Sequence, residues 1–224
     1  MSTLYIVPTP IGNLKDISYR CLSILKQVDY VLAEDTRVTK KIFSKYDIAT
    51  SLSSFHIYNE HKVLRKWINA LINDKKIALV SDSGTPAISD PGFLLIRECI
   101  KNNIEVICLP GPTAFVPALV MSGIPMNNFV FEGFLPVKKG RTKKLKALEK
   151  EDRTMVFYES PHRILKTLHD LIKFFGEDRN ASISREISKV FEETKRASLI
   201  KLLEFYKKNK PKGEFVIIVE GKNN

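Results

Sequence analysis

Ser81-Asp82-Ser83-Gly84-Thr85-Pro86-Ala87-Ile88-Ser89-Asp90-Pro91-Gly92 joins two segments of plain character. Before it, Lys76-Ile-Ala-Leu-Val80 is a short apolar run that reads as a buried strand. After it, Phe93-Leu-Leu-Ile-Arg-Glu-Cys-Ile100 reads as a helix, with Asp90 as N-cap and Pro91 at the first helical position. A strand-to-helix turn needs about four residues. This one has two Asp, two Gly and several hydroxyls and is far longer than that. It holds carboxylates and hydroxyls at the C-terminal end of a strand, where open α/β sheets bind ligands.

The same alternation extends outward in both directions. Leu4-Tyr-Ile-Val7 is predicted as a strand, followed by the loop Pro8-Thr-Pro-Ile-Gly-Asn-Leu14. Ser18 caps a helix with Cys21, Leu22, Leu25 and Val28 on one face. Tyr30-Val-Leu-Ala33 is a strand that ends at Glu34-Asp35-Thr36-Arg37. Asn59 opens a helix in which Val63, Leu64, Trp67, Ile68, Leu71 and Ile72 recur at helical spacing. Residues 104–109 form a strand, and Thr113 is placed as N-cap of the next helix. Alternation of this kind predicts an α/β protein with a largely parallel sheet.

In the second half, strands are expected over 128–134, 154–158, 181–185 and 214–219. Ser160 as N-cap and Pro161 at the first position begin a helix that stops at Gly176. An N-terminal α/β domain is expected over 1–114 and a C-terminal α/β domain over 115–224. With no Ser/Gly-rich linker, the two are expected to pack around a shared cleft.

Lys and Arg number 36 against 25 Asp and Glu, a net charge of +11. That excess attracts polyanions and anionic surfaces, or reflects only a lysine-rich proteome. Cys21, Cys99 and Cys108 show no CxxC spacing and each sits in an apolar run, so buried free thiols are expected and metal ligation is not. The N-terminus lacks the basic start and apolar core of a signal peptide, and no apolar run has the length of a membrane span. A cytoplasmic location is expected.

No GxGxxG and no GxxxxGK[ST] occurs, which argues against nicotinamide and P-loop chemistry. The prolines of the 8–14 loop stiffen it, either as a plain strand exit or to press carbonyls against a flat ring. Glu34-Asp35-Thr36-Arg37 is either a helix start capped by Asp35 or a carboxylate near a nucleophile with Arg37 on a phosphate. Phe55, His56, Tyr58 and Asn59 suit stacking and hydrogen bonding to unpaired bases. Lys138-Lys-Gly-Arg-Thr-Lys-Lys-Leu-Lys146 holds six cations in nine residues. It is either a solvated face or a phosphate track in which Lys138, Lys139, Arg141, Lys143 and Lys144 meet RNA.

TPIGNL (9–14), EDTR (34–37), SDSGTPAISDP (81–91), LPGPTA (109–114), FEGFLP (131–136), FYESPHR (157–163), SREISK (184–189) and PKGEFVIIVEG (211–221) occur in that order. Together they resemble the ribosomal RNA small subunit methyltransferase I family, in the tetrapyrrole-methylase-like class of S-adenosylmethionine enzymes. The chain carries Val38 and Tyr58 where that family more often has His, Ser83 where it usually has Ala, and Ala87 where it usually has Gly. The resemblance implies two α/β domains with S-adenosylmethionine in the cleft between them, and a homodimer. It also implies methylation of the ribose 2'-hydroxyl of a cytidine in the decoding region of 16S rRNA on the small ribosomal subunit.

On these residues the donor is expected at Pro10, Asp82, Gly84, Thr85, Ile88, Thr113 and Ala114. Candidates on the nucleophile side are Glu34, Asp35, Arg37, Glu159, His162, Arg185 and Glu186, with the base not chosen among them. Two rivals remain. A fold relative could methylate a tetrapyrrole or a protein side chain, against which the charge of +11 favours RNA. A non-catalytic RNA-binding factor is opposed by the acidic loops at 34–35 and 81–90, since acids repel phosphate.

Overall fold

The computed structural model describes residues 2–222. They fall into two compact units, divided between Thr113 and Ala114. The first contains strands β1 (Thr3–Ile6), β2 (Tyr30–Ala33), β3 (Ser51–Ser54), β4 (Lys76–Val80) and β5 (Glu105–Cys108). They form one sheet in the order β3-β2-β4-β1-β5, and every neighbouring pair is parallel. Helices α1 (Tyr19–Gln27), α2 (Thr36–Tyr46), α3 (Glu60–Ile72) and α4 (Phe93–Lys101) connect them.

Burial on both faces explains why β1, β2 and β4 are apolar beyond Thr3 and Lys76 at their starts. Ile77 and Leu79 of β4 join Leu4, Ile6 and Leu32 in a core with Trp67, Ile68 and Leu71 of α3 and Leu95 and Cys99 of α4. Ala78 and Val80 point the other way, with Val31 and Ala33, onto Cys21 and Leu25 of α1 and Ile42 and Phe43 of α2. One continuous run thus feeds two cores. Ser18 caps α1, its hydroxyl accepting from the Cys21 amide at 3.1 Å.

The second unit contains α5 (Phe115–Ser122), β6 (Phe129–Phe134), α6 (Arg141–Leu148), β7 (Thr154–Glu159), α7 (Ile164–Phe175), β8 (Asn180–Arg185), β9 (Glu193–Ser198), α8 (Leu199–Lys208) and β10 (Phe215–Val219). Its sheet runs β6-β7-β10-β8-β9. Only β6–β7 is parallel; the other three pairs are antiparallel. The expectation of a largely parallel sheet therefore applies to the first half and is corrected for the second. Met155, Phe157, Ile183 and Ile217 pack on Leu145, Leu168, Leu171 and Leu202 of α6, α7 and α8, while α5 covers β8 and β10 from the other face. Edge strands β3 and β9 and helices α6 and α8 were not among the expected elements, whereas α2 matches the reading of residues 34–37 as a helix start capped by Asp35. Polar SLSS and charged ETKRAS lack apolar alternation because edge strands face solvent.

Three expected helix starts move. Gly92, at φ +135°, is the N-cap of α4, and neither Asp90 nor Pro91 takes part. The loop before it coils through left-handed Ala87 and Ser89, so Asp90 is turned away from the helix. Residues 160–163 form a turn in which the Arg163 and Ile164 amides both donate to the Ser160 carbonyl, and α7 begins after it. Ala114, not Thr113, is the N-cap of α5. Cys21 and Cys99 are buried, but Cys108 is exposed, since β5 is an edge strand. Among the described residues no helix is long and apolar enough to cross a membrane.

Candidate active site

Because the strands of the first sheet all run one way, the loops after β1, β2, β3, β4 and β5 leave at one edge. Three of them are knitted together. Thr9 and Gly84 exchange backbone hydrogen bonds of 2.9 and 3.0 Å, and the Thr9 hydroxyl donates to the Ser81 carbonyl at 3.0 Å. Gly84 has φ +82°, a left-handed conformation that suits glycine. The Thr85 and Thr113 hydroxyls are 2.6 Å apart, and Thr85 also donates to the Pro112 carbonyl at 3.2 Å. A Cβ on Gly111 would lie 2.6 Å from Pro8 Cβ, so glycine permits the close approach of those loops. Pro10 is buried within this assembly and Ile88 is exposed on it.

The lining is acidic. Asp82 Oδ1 accepts from the Asp35 amide at 3.0 Å. Burial, with the Asp35 charge adding to it, raises the Asp82 pKa against that hydrogen bond. Burial also raises Glu34, with the charge of Asp82 adding to it. Asp90 is pushed up to about 7, by burial and then by Glu34. His56 lies close enough to favour ionised Glu34, and its buried Nδ1 has no hydrogen-bond partner among the described residues. Asp90, read from sequence as a cap, is thus an acid of this group; its signal was a second Asp in an overlong loop.

Asp35 and Arg37 do something different. Asp35 caps α2, accepting from the Arg37 amide at 2.8 Å. The Arg37 side chain, 88% exposed, grips the same carboxylate at 2.6 Å. Those hydrogen bonds hold Asp35 down at about 2. Phe55 is fully buried, so it is withdrawn from the expected stacking cluster. Asn59 closes a turn, its Oδ1 accepting from the His56 amide at 2.8 Å. Tyr58 remains 89% exposed, edge-on to His56 at 6.0 Å.

In the second sheet, β6, β7 and β8 point the same way and β10 runs against them. The segments 134–138, 159–163 and 185–189 therefore share one edge. Glu159 is buried there. Its Oε1 pairs with Arg163 Nη2 at 2.9 Å and accepts from the Ser160 amide at 2.8 Å. Its Oε2 accepts from the Thr167 hydroxyl at 2.6 Å, which accepts in turn from Arg141 Nη2 at 2.8 Å. Arg141 also binds Asp170 at 2.7 Å and the Pro136 carbonyl at 3.1 Å. The expectation that Arg141 meets phosphate is thereby corrected: it is buried and fully engaged. Lys144 is paired with Glu132, which corrects its place among the free cations too.

His162 is exposed at the same edge. Arg185 lies 3.7 Å from Glu193, and its buried Nε has no hydrogen bond among the described residues. Glu186 Oε1 accepts from Lys189 Nζ at 2.9 Å and from the Glu214 amide at 3.0 Å. Burial pushes Glu186 up, but these bonds outweigh it and hold the carboxyl low. A Cβ on Gly213 would collide with that carboxylate, so Glu186 is a structural clamp. The sequence-expected residues thus fall into two groups, one on each sheet: Pro10, Glu34, Asp35, Arg37, Asp82, Gly84, Thr85, Ile88 and Thr113, then Glu159, His162, Arg185 and Glu186. Ala114 begins the second unit.

The family model of Tetrapyrrole (Corrin/Porphyrin) Methylases matches residues 3–203. The chain is 46% identical over 222 residues to a Ribosomal RNA small subunit methyltransferase I of Thermotoga maritima, covering 99% of this chain and all of that one. It is 47% identical over 221 residues to the protein of that name from Escherichia coli O157:H7, covering 97% of this chain and 77% of that one. In structure it is similar to diphthine synthase, with a TM-score of 0.75 at 17% identity, over 99% of this chain and 91% of that one. A cobalt precorrin-4 methyltransferase gives a TM-score of 0.72 at 17% identity, over 98% and 95%. These last two likenesses concern the fold alone. The acidic, glycine-bearing loops at the edge of the first sheet are therefore set in a methylase fold, and the chain belongs to the ribosomal RNA small subunit methyltransferase I family, within the tetrapyrrole methylase class of S-adenosylmethionine enzymes.

Proposed function

We propose that this protein transfers the methyl group of S-adenosylmethionine to the ribose 2'-hydroxyl of a cytidine in the decoding region of small-subunit rRNA. The observation that carries the reading is the end-to-end identity with the Thermotoga maritima relative. The acidic edge of the first sheet and the charge of +11 agree with it: local carboxylates suit a cationic donor, and the overall excess of cations suits a polyanionic acceptor.

The residues present fit the donor. Half-buried carboxylates at Glu34, Asp82 and Asp90 complement a positive charge, and the buried His56 Nδ1 has no hydrogen-bond partner among the described residues. Pro10, Asp82, Gly84, Thr85, Ile88, Thr113 and Ala114 are assigned to hold it. Bound there, S-adenosylmethionine supplies an electrophilic methyl on a sulfonium whose departing thioether is neutral. Positioning therefore matters more than acid chemistry on the leaving side.

The attacking hydroxyl must lose a proton. Asp35 is a weak base, because Arg37 stabilises its ionised form. Glu159 and Glu186 are committed to hydrogen bonds, and a guanidinium such as that of Arg37 or Arg185 has donors only. Of the carboxylates named on the nucleophile side, Glu34, with its raised pKa near His56, is the one left to serve as base. Arg37, Arg185 and His162 are assigned to the RNA backbone. The working form is proposed to be a cytoplasmic homodimer; sedimentation at micromolar concentration showing only a species near 25.6 kDa would overturn the dimer.

The test is to incubate the protein with unmethylated 30S subunits and methyl-labelled S-adenosylmethionine, then map the label by nuclease digestion and mass spectrometry. A ribose-methylated cytidine in the decoding region is expected. Label on a base, or only on a tetrapyrrole offered in parallel, overturns the reading.

A further inference from the structure

The edge of the second sheet carries side chains that the proposed chemistry leaves unused. Phe134 ends β6 and is 51% exposed. Its ring is backed by Tyr158 at 5.6 Å. Tyr158 meets Phe131 edge-on at 5.2 Å, and Phe131 meets Phe115 at 4.8 Å. The exposed ring is thus the last of a row anchored in the sheet, and its plane is set by packing.

The Arg163 guanidinium lies 5.8 Å from the Phe134 centroid. It is held by the fully buried Glu159 carboxylate at 2.9 Å and by the Leu135 carbonyl at 3.4 Å. From Phe134 the chain runs through Pro136 and Val137 to Lys138, Lys139 and, one turn on, Lys143, all three exposed. Among the described residues no carboxylate lies within ion-pair distance of these lysines, unlike Arg141 and Lys144.

A protein-docking patch would carry a rim of both signs. Here the rim is cationic, and the apolar centre is a rigid, half-exposed ring with a guanidinium beside it. That combination matches a strand that offers flat bases and phosphates together. We propose that Phe134 is a stacking platform for an unpaired base of the RNA substrate, with Arg163 held beside it by Glu159 to meet the adjoining phosphate. The proposal rests on the rRNA reading above.

The test compares Phe134→Ala, Phe134→Leu and Phe134→Trp with the parent in filter binding to 30S subunits, in KM and kcat for methyl transfer, and in calorimetric binding of S-adenosylmethionine. Loss of the ring should raise both Kd and KM for subunits about tenfold, within the range for one base–aromatic stack. Leu, apolar but without a π face, should behave as Ala, and Trp as Phe. Donor affinity and kcat should change less than about twofold. Arg163→Gln should lower the salt slope of binding by about one. If Phe134→Ala binds subunits like a parent that methylates them, the platform is wrong and the functional reading stands. If the parent neither binds nor methylates subunits, the functional reading falls and takes the platform with it.

Discussion

The Thr85 and Thr113 hydroxyls meet at 2.6 Å and tie the loop after β4 to the loop after β5. Read from sequence, Thr113 is both a helix cap and a donor-site residue, and the cap role falls instead to Ala114. In the fold its oxygen belongs to the loop assembly to which the donor is assigned.

Thr113→Val keeps the shape and removes the hydroxyl. Thr85 retains the Pro112 carbonyl as acceptor, so the cost in stability should be about 1 kcal/mol. Affinity for S-adenosylmethionine should drop by several-fold as the two loops separate. Calorimetry and a thermal melt on the same sample check both; unchanged affinity would remove Thr113 from the donor site.

Gly111→Ala tests the same assembly by crowding. The new Cβ would sit 2.6 Å from Pro8 Cβ, and neither segment yields easily. Overpacking of this kind costs about 1–3 kcal/mol. A denaturant midpoint that does not move would show that the loops are not in firm contact.

Asp90 should give the protein an unusual pH response. Its folded pKa of about 7 lies above the ordinary 3.8. The folded state therefore holds a proton that the unfolded state releases between those values. This contribution is fully present below about pH 4 and is lost as pH rises to about 7. Asp35 and Glu151, held at about 2, act in the opposite sense at lower pH. The informative quantity is therefore the difference between Asp90→Asn and the parent. The variant should gain stability over the parent from pH 4 to 7 and keep that gain at pH 8. A constant difference across the range would show that Asp90 does not titrate as described.

The basic run should divide by burial. Replacing Lys138, Lys139 and Lys143 with Ser should reduce the salt slope of subunit binding by about 2, at roughly 0.7 per single-strand phosphate contact. The melting temperature should stay put. Arg141→Met breaks a buried pair with Asp170 and should cost about 3 kcal/mol. A triple variant with the parent's salt dependence would make those lysines a solvated face.

The alternation of apolar strands and amphipathic helices in the first half was legible because the strand period and the helix period are both local. Lys76–Val80 and Tyr30–Ala33 needed nothing beyond their own residues to be recognised. Ser18 was legible for the same reason, since a cap bonds to an amide three residues away. The motif set from 9 to 221 carried the family. Arg141 could have been separated from its neighbours: with Leu145 and Leu148 it recurs at helical spacing on the buried face of α6. Density of charge hid that spacing.

What the sequence by itself determined is the α/β character, the buried faces of the first sheet and the long loops at its C-terminal edge. These follow from periodicity and composition over a few residues. Tertiary structure alone decided that the second sheet is mostly antiparallel, because pairing of β10 between β7 and β8 joins segments far apart in the chain. It decided that Glu159 is enclosed by Arg163 and Thr167 while Glu34 lies near Asp82 and His56 with its pKa raised. It also decided that Asp90 lies among other half-buried acids. A carboxylate's charge state depends on the water and the charges around it, and those are set by residues that only the fold brings near.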